Sequence, residues 1–317
     1  MQASRLLEAT NLSVSAFAGT GEKELIHDVS FSVNQSEVLV LLGESGSGKT
    51  VLSRALTNLF PVTSPMRIRG LVNFEGRSLL DLPAEELSAV RRRKIRYVFQ
   101  EPISSLNPLT KIGLQLSLAN GDPVKEERLL TDTLRLVGLD NAEEILELYP
   151  HQLSVGMAQR VNIAMAILPA PSLLIADEPT SAVDPSLKYA LLDLLAAIRQ
   201  TRGTSLILIT HDLDVAQHYG DRIVVLYGGR VIESSGRERF FDNPLHPYSR
   251  LLIESHVSIG KPVADSGSAV SVLDVEIPGS GCRFHPRCPI VQSRCTEAEP
   301  ELEHVPDNRE VRCFYWK

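Results

Sequence analysis

The residues best suited to chemistry begin at Gly43-Glu44-Ser45-Gly46-Ser47-Gly48-Lys49-Thr50, which fills every fixed position of the pattern G-x-x-x-x-G-K-[ST]. Glycines remove the Cβ atoms that would block close approach, so backbone N–H groups can cradle an anion, and a helix that follows adds the positive end of its dipole. Lys49 is placed to neutralise β- and γ-phosphates and the Thr50 hydroxyl to ligate Mg²⁺. A second group, Leu173-Leu174-Ile175-Ala176-Asp177-Glu178, is an apolar run ending in two carboxylates. Asp177 is suited to hold Mg²⁺ through its water shell, and Glu178 to polarise an attacking water. Such an acidic strand end, taken alone, caps the next helix about as often. With a phosphate-cradling loop upstream, the pair points to a nucleotide and Mg²⁺.

These groups need a scaffold that brings them together. The apolar run 38–42 ends at Gly43 and residues 51–60 have helical spacing, so strand, glycine loop and helix follow directly. Residues 5–42 read as short alternating strands, 26–33 among them, and 67–75 and 95–99 as further strands. Residues 103–168 are mostly helical, with breaks at Asn107-Pro108, Gly121-Asp122-Pro123 and Tyr149-Pro150, and form a helical insertion. Short apolar strands are predicted at 173–176, 206–210 and 223–227. A helix between the first two repeats Leu187, Ala190, Leu191, Leu194, Leu195 and Ile198 on one face. Strands alternating with helices imply a mostly parallel α/β core, with Asp177 and Glu178 at the end of the sheet where open α/β folds bind ligands.

The chain has 317 residues, 43% apolar and 22% charged, the range of a globular protein able to bury a sizeable core. Its 32 Lys and Arg against 39 Asp and Glu leave a net charge of −7, which argues against nucleic acid as a partner. The basic run Arg91-Arg92-Arg93-Lys94 reads as a solvated face, with Glu85, Glu86 and Glu101 near enough in sequence to balance it. No apolar run approaches the ~18 residues of a membrane span, and nothing reads as a secretory leader, so the cytoplasm is the expected compartment. Residues 256–281 are rich in Ser, Gly and Val, a connector between a unit spanning 1–255 and a tail, 282–317, that holds all four cysteines.

Further motifs follow in a fixed order, and with them the chain resembles the ATPase subunits of ATP-binding cassette (ABC) transporters over about residues 5–255. The resemblance implies an α/β P-loop NTPase cassette with a RecA-like core, an antiparallel β subdomain, a helical subdomain at about 103–168 and a small Cys-rich C-terminal extension. Gln100 is similar to the Q-loop glutamine that senses Mg²⁺ and water and faces the membrane subunit. Leu153-Ser154-Val155-Gly156-Met157, then Gln159-Arg160, resembles the signature motif that caps a nucleotide on the opposite subunit. Asp184 in Ser181-Ala182-Val183-Asp184 resembles the D-loop, His211 the switch histidine, and Phe17 the aromatic that stacks on adenine. The signature departs from the usual Leu-Ser-Gly-Gly because Val155 replaces the first glycine. A β-branched residue tolerates fewer backbone conformations there and crowds a close phosphate.

The Q-loop context 99–109, the lead-in 149–154 and Asn243-Pro244-Leu245-His246-Pro247-Tyr248 narrow the likeness to the di- and oligopeptide and nickel importer branch, and a tail such as 281–313 is similar to peptide-importer members. The resemblance implies partnership with a second, non-identical ABC ATPase, two transmembrane permease subunits and, indirectly, an extracytoplasmic substrate-binding protein, with this chain peripheral at the cytoplasmic face. A nickel or metallophore importer ATPase is the alternative, as is an ABC ATPase working on non-membrane complexes. Cys282, Cys288, Cys295 and Cys313 are spaced C-x5-C-x6-C-x17-C, which matches neither a ferredoxin run nor a paired C-x2-C zinc ribbon. Four thiolates in an otherwise cysteine-free chain favour a shared ligand. The resemblance implies a [4Fe–4S] cluster there. Zn²⁺ and reduced thiols remain open, and disulfides are disfavoured in a reducing cytoplasm.

Overall fold

The structure is a computed structural model that describes residues 4–18, 21–61, 63–120, 127–258 and 278–317. The predicted break at 121–123 and most of the 256–281 connector lie outside the described residues.

The N-terminal region builds two long strands, β1 (Arg5–Ala18) and β2 (Gly21–Asn34), where shorter ones were expected. They pair antiparallel through several register shifts. Positive φ at Asn11 (50°) and Asp28 (48°) breaks the alternation, which makes one continuous strand read as several. After β3 (Val38–Leu42) and α1 (Lys49–Ala55), β4 (Met66–Phe74) and β5 (Arg77–Ser78) complete an antiparallel sheet of order β2-β1-β4-β5.

The second sheet is organised by strands that are apolar on both faces. Then come α2 (Ala84–Arg93) and β6 (Ile95–Val98), followed by the helical region α3 (Ile112–Ala119), α4 (Glu127–Leu136), α5 (Ala142–Glu147) and α6 (Val155–Ile167). Residues 103–111 are turns, so the helical region begins at Ile112 and not at 103. β7 (Leu173–Asp177), α7 (Pro185–Arg202), β8 (Ser205–Thr210), α8 (Leu213–Tyr219), β9 (Arg222–Tyr227) and β10 (Arg230–Gly236) follow. The chain goes on through α9 (Arg237–Asp242), α10 (Pro247–Ser258), α11 (Ser293–Glu297), β11 (Glu303–Val305) and β12 (Arg309–Val311).

The sheet order is β11-β12-β10-β9-β3-β8-β7-β6, with β9, β3, β8, β7 and β6 parallel to one another. β3, β7 and β8 are buried along their whole length, as parallel strands covered on both faces must be. Successive side chains point to opposite faces, so Val38, Val40 and Leu42 join the core shared with α3 to α7. Leu39 and Leu41 join the core under β1, β2 and β4.

Two expectations about surfaces change. Along α7, Leu191, Leu192, Leu195 and Ile198 are buried, but Leu187 and Ala190 are exposed at its first turns, where Leu187 runs beside Gly156 of α6. The basic run is not simply solvated: Arg91 donates to the carbonyls of Thr57 and Asn58, and Lys94 pairs with Glu75 and not with the expected Glu85, Glu86 or Glu101. A guanidinium next to unsatisfied helix-end carbonyls is worth more there than in water.

Candidate functional site

Because β3, β7, β8 and β6 run parallel, their carboxyl ends lie at one end of the sheet, and each delivers one part of a cavity of ≈ 540 Å³. β3 leads into the glycine loop, β7 into Glu178, β8 into His211 and β6 toward Gln100. Gln100 lies two residues past the end of β6, not at the strand end predicted.

The loop conformation requires its glycines at two points. Gly46 has φ 79° and a Cβ there would meet nothing within 4 Å, so the loop is open toward the cavity. Gly48 has φ 102°, and a Cβ would press on Ile26 at 2.6 Å. Lys49, the first residue of α1, is buried and donates Nζ to the carbonyls of Gly43 (2.7 Å) and Glu44 (2.9 Å). Burial lowers the Lys49 pKa, opposed by Glu178, Asp177 and Glu44. Among the described residues the buried Ser47 Oγ has no hydrogen-bond partner.

Thr50 Oγ1 donates to Asp177 Oδ1 at 3.1 Å, which joins the end of the glycine loop to the end of β7. Burial raises the Asp177 pKa, and Thr50 lowers it. The next residue, Glu178, is in the left-handed region at φ 44°, a conformation a non-glycine residue holds only when its surroundings impose it. That turn aims its carboxylate at the cavity. Gln100 Nε2 donates to Glu178 Oε2 at 3.3 Å, and His211 Nδ1 lies 3.2 Å from Oε1. A cation site, an oriented carboxylate and a nest of N–H donors thus face one space, an arrangement able to bind a polyphosphate and direct water at it.

The predicted residues divide by place. Gly43, Glu44, Ser45, Gly46, Gly48, Lys49, Thr50, Gln100, Glu178 and His211 line the cavity. Ser154, Val155, Gly156 and Met157 do not. They form the start of α6, where Ser154 caps the helix by accepting from Met157 N at 3.2 Å and Val155 is 39% exposed. Asp184 likewise caps α7 by accepting from Ser186 N at 2.9 Å. Phe17 also stands outside the cavity, near the end of β1 opposite Glu22, with the Arg67 guanidinium 4.9 Å from its ring centre.

Sequence reasoning missed two residues that hold the loop from behind. Tyr248 Oη accepts from the backbone N–H of Glu44 at 3.1 Å, and Arg287 forms a two-pronged ion pair with the Glu44 carboxylate, which raises its pKa. Both sit inside motifs that were read only as family marks, and no local pattern reveals what they pack against.

The four cysteines gather around one small cavity, of about 10 Å³, with Phe284 and His246 in its wall. Burial pushes the Cys282 thiol up to about 11, and raises those of Cys288 and Cys313; the neighbouring thiols add to each shift. All four are free of disulfides. Among the described residues, no three or more His, Cys, Asp or Glu side chains are arranged as a ready-made metal site. Four cysteines lining one cavity are a soft donor set, the chemistry a thiolate-ligated centre would draw on.

Comparison with known proteins agrees with this geometry. Residues 26–181 match the ABC transporter family and residues 232–295 the oligopeptide/dipeptide transporter C-terminal region. The oligopeptide transport ATP-binding protein AppD of Bacillus subtilis is 36% identical over 99% of this chain and 98% of its own length. The dipeptide transport ATP-binding protein DppD of Escherichia coli is 35% identical over 98% and 96%. A dimeric post-hydrolysis state of the ATP-binding cassette MJ0796 bound to ADP and Pi aligns with a TM-score of 0.65 at 26% identity, over 73% of this chain and 99% of that one. With a glycine loop at the carboxyl end of the parallel sheet and near-full-length likeness of this kind, the chain belongs to the ATP-hydrolysing subunits of ABC transporters, in the oligopeptide/dipeptide branch.

Proposed function

We propose that this chain powers the import of di- or oligopeptides by coupling ATP-driven closure of an ATPase pair to two membrane permeases. The observation that carries the reading is that Gln100 and His211 both meet Glu178 in the cavity that the glycine loop lines. Peptide as cargo rests on the relatives, which are peptide transport proteins by name.

In this reading Phe17 stacks on adenine, the loop from Gly43 to Gly48 and Lys49 hold the phosphates, and Thr50, Gln100 and Asp177 are the Mg²⁺ residues. Mg²⁺, when bound, would supply charge neutralisation to the phosphates. Glu178 accepts the proton of a water that attacks the γ-phosphorus as the bond to the β–γ bridging oxygen breaks and ADP leaves. His211 orients Glu178 and the water. Ser154, Val155, Gly156 and Met157, with Asp184, act on the nucleotide of the partner subunit, which explains why they lie outside this chain's own cavity.

The chain acts peripherally at the cytoplasmic face; among the described residues, no helix is long and apolar enough to cross a membrane. Leu109, 87% exposed, and the exposed Ile103 and Leu114 lie just past Gln100 and offer an apolar surface to the permeases. Residues 1–255 act as the cassette, 256–281 as a connector and 282–317 as the extension. For Cys282, Cys288, Cys295 and Cys313 we favour ligation of one centre, a [4Fe–4S] cluster with Zn²⁺ as the alternative, which would hold together a segment too small for its own core.

The deciding experiment is anaerobic purification with the permeases, followed by ATPase assay with and without peptide-loaded binding protein, and iron, sulfide and zinc analysis. Peptide-stimulated turnover is expected. Turnover indifferent to peptide would overturn the cargo, and a chain without metal would overturn the thiolate centre.

A further inference from the structure

Every polar group of Glu44 is held by another residue. Its N–H goes to Tyr248 Oη (3.1 Å), its carbonyl takes Lys49 Nζ (2.9 Å), and its two carboxylate oxygens take Arg287 Nη1 (2.8 Å) and Nη2 (2.9 Å). Arg287 lies 243 residues further along the chain, in a 3₁₀ turn spanning His285–Arg287, and is directly followed by Cys288. Its guanidinium sits 5.7 to 5.9 Å from the ring centres of Tyr227, Tyr248 and Phe284, which pack on one another. A planar fork stacked among rings and bonded at both prongs is a pre-organised and largely desolvated cation. Its side chain is 16% exposed.

Glu44 also lines the cavity read as the nucleotide site. A bare carboxylate in the wall of a site for a polyanion repels what the site must take up, and the repulsion grows with each added phosphate charge. The loop therefore needs a counter-charge for Glu44 that does not itself occupy the phosphate cradle.

We propose that Arg287 is a positioning residue of the phosphate loop: by clamping and neutralising Glu44 from behind, the C-terminal segment makes the site fit for a nucleoside triphosphate. The role is indirect, since Arg287 reaches the phosphates only through Glu44. It joins the segment carrying the cysteines to the loop through one ion pair. Phe284 extends the connection, because it packs under Arg287 and also walls the cysteine-lined cavity.

The test uses the full chain and equilibrium binding of ATP, ADP and AMP, with thermal unfolding as a check on folding. R287Q is expected to weaken ATP about tenfold, equivalent to ~1.4 kcal/mol, ADP less and AMP least. E44Q placed on R287Q should recover most of that loss, because no carboxylate is left to neutralise. R287K, which keeps charge without the fork, should fall between. In the assembled transporter, R287Q should raise KM for ATP with kcat within about twofold. Equal losses for all three nucleotides, no recovery in R287Q/E44Q, or a loss confined to kcat would overturn the proposal. Should R287Q fail to fold, R287K and R287K/E44Q give the same comparison, and an R287K that binds ATP as the parent does would overturn it. The proposal rests on the nucleotide reading of the cavity. A parent chain that binds no ATP would sink that reading, whereas a parent that binds and an R287Q that binds equally well would sink this proposal alone.

Discussion

Glu178 Oε1 lies 3.2 Å from His211 Nδ1, although the two residues leave different strands and are 33 positions apart. β7 and β8 are adjacent and parallel, so their ends fall side by side, and the left-handed backbone at Glu178 turns its side chain across the gap. Gln100 takes the other carboxylate oxygen. A carboxylate fixed at both oxygens presents a defined direction to water, which is what a general base requires.

Glu178→Gln keeps the shape of the side chain and removes the base. Hydrolysis should fall ~10²- to 10⁴-fold while MgATP binding persists, so that closed dimers accumulate. Phosphate release and size-exclusion chromatography with ATP check this together. Hydrolysis at the parent rate would refute the base assignment.

Val155 is the first residue of α6 and 39% exposed, so its replacement disturbs no core. If its branched side chain weakens the site it faces on the partner, Val155→Gly should raise turnover of the assembled pair several-fold, at a helix cost of only ~0.5 kcal/mol. Turnover unchanged from the parent would remove the case for an asymmetric pair based on this residue.

The Arg67 guanidinium lies 4.9 Å from the Phe17 ring centre, and the residue is 43% exposed, enough surface for a base to stack on. Phe17→Ala should weaken ATP by about tenfold through lost stacking, with kcat at saturating ATP unaltered, because the ring takes no part in chemistry. Titration with ATP measures it. An unaltered affinity would show that the adenine rests elsewhere.

His27 ties β2 to the glycine loop, since its N–H donates to Gly229 O and Gly229 N–H donates to Ser47 O. Burial, then Arg283 and Arg230, lower its pKa below the ordinary 6.5, and Glu24 only partly offsets them. The unfolded chain therefore takes up the proton first as pH falls, and the associated stability is present above about 6.5 and lost below it. His27→Gln should flatten the fall in melting temperature between about pH 7 and 5. A parent-like slope in the variant would show that other groups govern acid sensitivity.

What could be read from the chain alone was whatever neighbouring residues determine among themselves. The glycine loop is one example, because φ preferences and spacing act over eight consecutive residues, and the buried apolar runs 38–42 and 173–176 are another, because apolar runs declare themselves. Composition and motif order carried the family. The tertiary structure decided what depends on strand order, which periodicity does not encode. It brought Gln100 and His211 to Glu178, left Leu187 and Ala190 of α7 exposed, and set Phe17 apart from the cavity. It also gathered the four cysteines and laid Arg287 on Glu44. Contacts across such separations depend on how β10 and β12 extend the central sheet, and only the packed fold supplies that.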